Sequence, residues 1–368
     1  MDYRRARVVL TAIGITVLVA LILTLGGIMH GMHIQARQFV ESTGATIWIS
    51  AEGSGGAFVG FSMLYQEYMA PLNHRPGIKP NSLSFLVFAH ARPVIHGKES
   101  KAIVVGYQQG KLGGPTRVLE GRMFTPSRFA VYAPEDPLPL EVVVDERMGL
   151  EIGEQITIGG EKLKVVGKSK SLMFVLDTPL LFMDLRAAQK VLFADYPSVN
   201  MVLAQTSDRF TPVQVAENLD EDATIEARTL KQTLDDIIET YVTEPMKAVT
   251  FLRVMLWLAA GILVAMITYV TTLEKTQEIG VLKAIGGSNR YVVALIIKQV
   301  ALMSIVGIVL GVVLSYGFAA AAPIFVKIHL GESLVVALIS FLVCCASGYL
   351  AGRKAIAVDP MVAFRGEI

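Results

Sequence analysis

The residues of this chain best suited to making a specific contact lie in segment 274–288. Glu274, Lys275, Glu278 and Lys283 there share a short stretch of helical character with Ile279, Leu282 and Ile285. Such a segment can dock on another protein, its apolar residues filling a groove while its charges pair around the rim. On the bare sequence the competing reading is a solvated loop helix with no partner. Covalent and metal chemistry are poorly supplied. Lys168-Ser169 after Gly167 resembles the end of a phosphate loop, but the required first glycine falls at Lys162. His30 with His33, and His90 with His96, lack a Cys, Asp or Glu at metal-ligand spacing. There is neither a Gly-x-Ser-x-Gly elbow nor a His-Glu-x-x-His sequence. No catalytic residue, metal or cofactor is expected.

The elements that position this segment are hydrophobic runs. Apolar residues make up 53% of the 368, charged residues 18%, and mean hydropathy is +0.52, a mixture expected of membrane spans joined to a polar domain. Runs fall at 8–28, 254–273, 291–322 and 334–351, with no charge at all in 254–273 or in 300–322. At about 1.5 Å per residue they match a hydrocarbon core of about 30 Å. The first run is read as a retained anchor, because it is longer than the core of about 7 to 15 residues in a signal peptide and Gly31-Met32-His33 is a poor cleavage site.

Basic residues set the orientation. Arg4, Arg5 and Arg7 precede the first run, Lys275, Lys283 and Arg290 separate the second from the third, and Arg353, Lys354 and Arg365 follow the fourth. The third-to-fourth connection offers only Lys327, so both termini and the 274–290 segment are expected in the cytoplasm. The chain then divides into an N-terminus (1–7), a first transmembrane helix (8–29), an extracytoplasmic α+β domain ending in a stalk helix (30–249), a second transmembrane helix (250–273), the amphipathic segment (274–290), a third transmembrane helix (291–322), an outer loop (323–332), a fourth transmembrane helix (333–352) and a tail (353–368). A net charge of +1 without a basic block gives no support for nucleic-acid binding.

Cys344 and Cys345, the two cysteines, both lie in the fourth span, and neighbours on a helix point about 100° apart, against a disulfide between them. Small side chains recur there at Ser340, Cys344, Gly348 and Gly352, and in the third span at Gly307, Gly311, Ser315 and Ala319. Such ridges let helices approach closely in lipid, here within one chain in preference to a subunit interface.

The outer stretch carries strand signals at 46–50, 85–89, 102–107, 141–144, 155–158, 162–166 and 200–204, with a hairpin signal at Gly159-Gly160. Helical character marks 184–192 and 212–219. From 229 to 249 Leu230, Leu234, Ile237, Ile238 and Tyr241 recur at helical spacing, with a kink expected at Pro245. The glycine-rich 53–65 segment reads either as a loop folded back on the sheet or as one that touches lipid or an apolar substrate.

Taken together, Glu274-Lys275, Glu278-Ile279-Gly280, Leu282-Lys283-Ala284 and Gly286-Gly287-Ser288 resemble the signature of the FtsX-like ABC permease family in its MacB-type branch. Asp359-Pro360-Met361-Val362-Ala363-Phe364-Arg365 resembles the family's cytoplasmic tail, Leu119-Glu120-Gly121-Arg122-Met123-Phe124 the Gly-Arg element of its periplasmic domain, and 145–167 the strand pair that follows. The resemblance implies four transmembrane helices, one plus three, around a large periplasmic domain. It implies a permease subunit of a bacterial plasma (inner) membrane that binds no cofactor itself, pairs with a second copy or close relative, docks two copies of a separate ABC ATPase, and leaves room for a periplasmic adaptor beside membrane lipid. Coupling to the ATPase would fall on Glu274, Lys275, Glu278, Ile279, Leu282 and Lys283, and packing or dimer contacts on Gly307, Gly311, Ser315, Cys344 and Gly348. Export or extraction of a hydrophobic or amphiphilic substrate is the function it implies. The alternative is a regulator that activates a cell-wall hydrolase or senses a ligand without transport.

Overall fold

A computed structural model describes residues 3–115, 117–127, 138–170, 173–322 and 324–356; the tail sequence 359–365 lies outside them. The chain forms two compact units, Met32–Glu244 and Met1–Gly31 with Pro245–Ile368. Helices are α1 (Tyr3–Ser42), the single turn α2 (Gln66–Met69), α3 (Leu185–Phe193), α4 (Pro212–Leu219), α5 (Leu230–Ile238), α6 (Glu244–Glu274), α7 (Thr276–Ala284), α8 (Asn289–Ala321) and α9 (Leu330–Ile356). Among the described residues four helices are long and apolar enough to cross a membrane, and the α/β unit falls between the first and second of them.

The outer unit is built on a mixed sheet in the order Ile225–Thr229, Ile47–Ala51, Met201–Ala204, Ser84–Ala91, Ala102–Tyr107, Thr178–Asp184, Glu141–Asp145, Glu161–Ser169, Gln155–Ile158, Val94–Ile95 and Lys98–Glu99. All seven expected strands are present. The hairpin turn has φ of 58° at Gly159 and 86° at Gly160, the left-handed pair that a two-residue connection requires. Alternating residues cover both faces: Ile47, Ile49, Val104 and Val142 are buried in one cluster, while Trp48, Ile103, Val105 and Phe182 are also buried. Helix α3 starts on the Asp184 carboxylate, which accepts from the Arg186 N–H at 3.0 Å, and α4 and α5 start on reciprocal capping boxes, Thr211 with Gln214 and Thr229 with Gln232.

The stalk is irregular beside Pro245. Its irregularity lies a turn before Pro245, as a π-helical turn at Glu239–Thr243 in which the Glu244 N–H reaches back to the Glu239 carbonyl. Pro245 has no N–H and its ring would crowd the carbonyl four residues earlier; the wider turn accommodates that locally.

In the membrane unit glycines of both small ridges meet the chain's own helices. A Cβ on Gly307 would stand 2.8 Å from Ile15 and one on Gly311 2.8 Å from Val19, and the Thr16 hydroxyl donates to the Gly307 carbonyl at 3.2 Å. Ser315 is buried and donates to the Val312 carbonyl at 2.6 Å. A Cβ on Gly348 would lie 2.9 Å from Val300, and Cys344 is buried in one cluster with Ile15, Val264, Val300 and Ile308. Close backbone approach at α1–α8 and α8–α9 is what the small residues supply. At the other end of the bundle Arg253 of α6 and Glu332 of α9 pair at 2.8 Å.

Candidate functional site

Helix α7 follows α6 after a one-residue break at Lys275 (φ −88°, ψ 10°). It ends in a Schellman cap: the Gly286 N–H bonds the Lys283 carbonyl at 3.0 Å and the Gly287 N–H the Leu282 carbonyl at 2.9 Å. Gly286 has φ of 97°, which a side chain would strain. Ser288 then caps α8, its hydroxyl accepting from the Tyr291 N–H at 3.2 Å. The Gly-Gly-Ser sequence is thus the stop of one helix and the start of the next.

This framing turns α7 so that its residues separate into two sets. Glu278, Val281 and Ile285 are exposed, the last two at 61% and 78%, and at about 100° per residue they share one face; Glu274, the last residue of α6, is exposed just before the break. Lys275, Ile279 and Leu282 are half-buried on the other side, where they line a cavity with residues of α1, α6 and α8; Lys283 is half-buried as well. The Lys275 ammonium donates to Gln299 Oε1 at 3.3 Å. Of the apolar residues singled out from the sequence, Ile285 therefore faces outward and Ile279 and Leu282 inward. Val281 was missed; its i, i+4 spacing with Ile285 was the available signal.

Residues 8–222 match the MacB-like periplasmic core domain and residues 250–360 the FtsX-like permease C-terminal domain. The chain belongs to this family of ABC transporter permeases. This permease is 24% identical over 369 residues to an uncharacterised ABC transporter permease of Mycobacterium tuberculosis, covering 100% of this chain and 97% of that protein. It is 23% identical over 399 residues to the macrolide export ATP-binding/permease protein MacB of Acinetobacter baylyi, covering 100% of this chain and 58% of that protein. Among solved structures the periplasmic region of MacB from Actinobacillus actinomycetemcomitans aligns over 53% of this chain and 92% of that one, at 13% identity and a TM-score of 0.37. The permease is thus a multi-pass membrane protein of a class that works with an ATPase.

Within the outer unit of this permease the Gly-Arg element is a brace. Arg122 pairs with both carboxylate oxygens of Glu141 at 2.9 and 2.5 Å, and Glu141 also accepts the Thr125 N–H at 2.7 Å. The hydrogen-bonded guanidinium, helped by Thr125, holds the Glu141 carboxyl down at about 2, below its ordinary 4.5. A folded-state value depressed in this way contributes stability above about pH 4.5 and loses it as the pH falls toward about 2. Because Arg122 is more than half exposed, Glu141→Gln is expected to lower unfolding free energy at pH 7 by only about 1 kcal/mol or less. Denaturant titrations of the two proteins should converge between pH 4.5 and pH 2; a gap that persisted at pH 2 would trace the loss to packing instead. Lys168, beyond the strand pair, bridges Glu120 and Glu151 at 3.1 Å each.

The 53–65 segment divides in two. Its first half folds back: Glu226, buried on the edge strand Ile225–Thr229, accepts from Ser50, Ser54 and the Gly56 N–H (2.7 Å), and pairs with Arg228, which pairs in turn with Asp236 of α5. Phe58 is buried with φ of 69°, and its ring packs edge-on against Phe39 of α1 and Phe88 of the sheet at 4.9 and 4.8 Å. Phe174 touches Phe88 and Tyr241, and the Tyr241 hydroxyl in the π turn donates to the Phe58 carbonyl at 3.0 Å. The second half alternates, with Phe61 82% exposed while Ser62, which accepts the Ala51 N–H at 2.9 Å, and Leu64 are buried.

Proposed function

We propose that this chain is the permease subunit of an ABC transporter whose ATPase is a separate subunit, two copies of which dock on α7 of a permease pair. The observation that carries the reading is the mixed exposed surface of this segment: Glu278, Val281 and Ile285 on one face of a helix held at both ends and by its opposite side, with Glu274 exposed just before it. A groove lined by apolar and basic groups would complement it. With the basic residues near the span ends facing inward, both termini lie in the cytoplasm of a bacterial plasma membrane. Nucleotide-driven movement of α7 would pass along α6 to the π turn. From Tyr241 it would reach Phe58 and the outer loop, working on a hydrophobic or amphiphilic substrate to be exported or extracted.

The test is site-directed crosslinking in a background lacking Cys344 and Cys345. A cysteine at Ile285 is expected to crosslink to the ATPase through a short bifunctional thiol reagent, and one at Ile279 is not. Crosslinking from neither position, with both proteins present in the membrane, would remove α7 from the interface.

A further inference from the structure

Two opposite charges meet at the end of the bundle away from α7. Arg253 lies just before the charge-free run 254–273 of α6, and Glu332 lies in the first turn of α9. Their side chains are largely withdrawn from solvent, at 14% and 24% exposure, and Arg253 Nη2 donates to Glu332 Oε1 at 2.8 Å. The carboxylate is seated on α1, because a Cβ on Gly26 would overlap it. The next residue, Gly27, accepts the Lys327 N–H of the α8–α9 connection at 2.9 Å. One ion pair therefore links α6 to α9 and rests on α1.

The pair is held at a single point. An arginine and a carboxylate bind most firmly through two parallel hydrogen bonds. Here Arg253 Nε is buried with no hydrogen-bond partner among the described residues, so pairing leaves one donor unsatisfied, a cost that separation removes. Each charge also has a second place to go. A guanidinium at the end of a span can extend to lipid head groups by snorkelling. A carboxylate in the first turn of a helix is favoured there by the helix dipole, with or without a cation. Paired and separated arrangements thus both have stabilising contacts, as a switching element requires. Deeper along the same seam the contacts are neutral: Trp257 Nε1 donates to the Ser340 hydroxyl at 3.2 Å, and a Cβ on Gly261 would lie 2.9 Å from Ser347.

We propose that Arg253 and Glu332 form a latch on the α6–α9 seam. Paired, it holds the start of α6 against α9 and α1; separated, it lets that end of α6 swing about the contacts at Trp257 and Gly261. The route for motion proposed above runs along α6 past this pair, so the latch would gate it. The latch itself is a property of the chain alone, and its failure would leave the docking of α7 untouched.

The test places spin labels on cysteines at Leu252 of α6 and Leu334 of α9, both exposed, in the full-length chain lacking Cys344 and Cys345. Pulsed electron paramagnetic resonance in lipid nanodiscs then reads the separation of the two helices. One dominant distance is expected for the labelled parent. Glu332→Gln, which removes the charge and keeps the shape, should raise the population at longer distance about tenfold or more, the scale of a lost charged hydrogen bond. Gly26→Ala keeps both charges, and its Cβ displaces only the far end of the flexible Glu332 side chain, so it should shift the distance in the same direction. Leu342→Ala, at an exposed position of α9, should leave the distribution unchanged. Parent distances in both Glu332→Gln and Gly26→Ala would make the pair a fixed brace and overturn the proposal. If Glu332→Gln does not reach the membrane, Gly26→Ala decides alone, since alanine suits a helix interior, and a parent distance there overturns the latch equally.

Discussion

Val281→Asp combined with Ile285→Asp is expected to abolish copurification of the ATPase while leaving the permease in the membrane at its normal level. Both side chains are exposed in the chain itself, so aspartate there costs the fold little. In an interface the same change removes two buried aliphatic groups, each worth about 1.5 to 3 kcal/mol, and strands two carboxylates away from water at several kcal/mol more. The sum exceeds about 5 kcal/mol, a loss of more than about a thousandfold in affinity. Charge reversal at Glu278 on that face and at Glu274 just before it should act in the same direction. The effect is smaller if those carboxylates lie on the rim, where a pair is worth about 1 kcal/mol or less, and larger if they are buried. The control is Ile279→Asp, which faces the cavity and should lower the stability of the chain itself. ATPase recovered at wild-type yield with the double aspartate variant would reduce α7 to an ordinary loop helix.

Phe88→Ala is expected to destabilise the outer unit by about 3 to 5 kcal/mol, the cost of removing a buried aromatic and leaving a cavity. Phe88 is the ring that touches Phe39, Phe58 and Phe174 together, so its loss frees the buried half of the 53–65 loop and the contacts of the π turn at once. Hydrogen exchange of the full-length chain should show faster opening of Ser84–Ala91 and of residues 54–58. Tyr241→Phe, which deletes only the hydroxyl bonded to the Phe58 carbonyl, should cost about 1 kcal/mol and free the loop alone. Unchanged protection at 54–58 in both variants would detach the loop from the stalk and with it the route proposed for motion.

The spans were legible because crossing a membrane is a property of consecutive residues: length and apolarity suffice, whatever the neighbours do. The hairpin at Gly159-Gly160 and the helix at Pro212–Leu219 were legible because glycine pairs and capping residues act within a few positions. The strand Thr178–Asp184 was not, although it lies inside the sheet. Its residues from Leu180 to Asp184 are all buried, so it has no alternation to read. Neither could the sequence assign Ile279 and Ile285 to opposite sides of α7. That helix has apolar residues around much of its circumference, and only packing against α1, α6 and α8 chooses which are covered. The small ridges announced close approach, but not that Gly307 would meet Ile15 and Gly348 would meet Val300. In the 53–65 segment glycine composition left both alternatives open. A buried carboxylate at Glu226 and a phenolic hydroxyl at Tyr241, both more than 160 residues further along the chain, hold Gly56 and Phe58 against the sheet and leave Phe61 outside. Local composition sets what a segment can do; contacts between residues far apart in the chain decide which of those things it does.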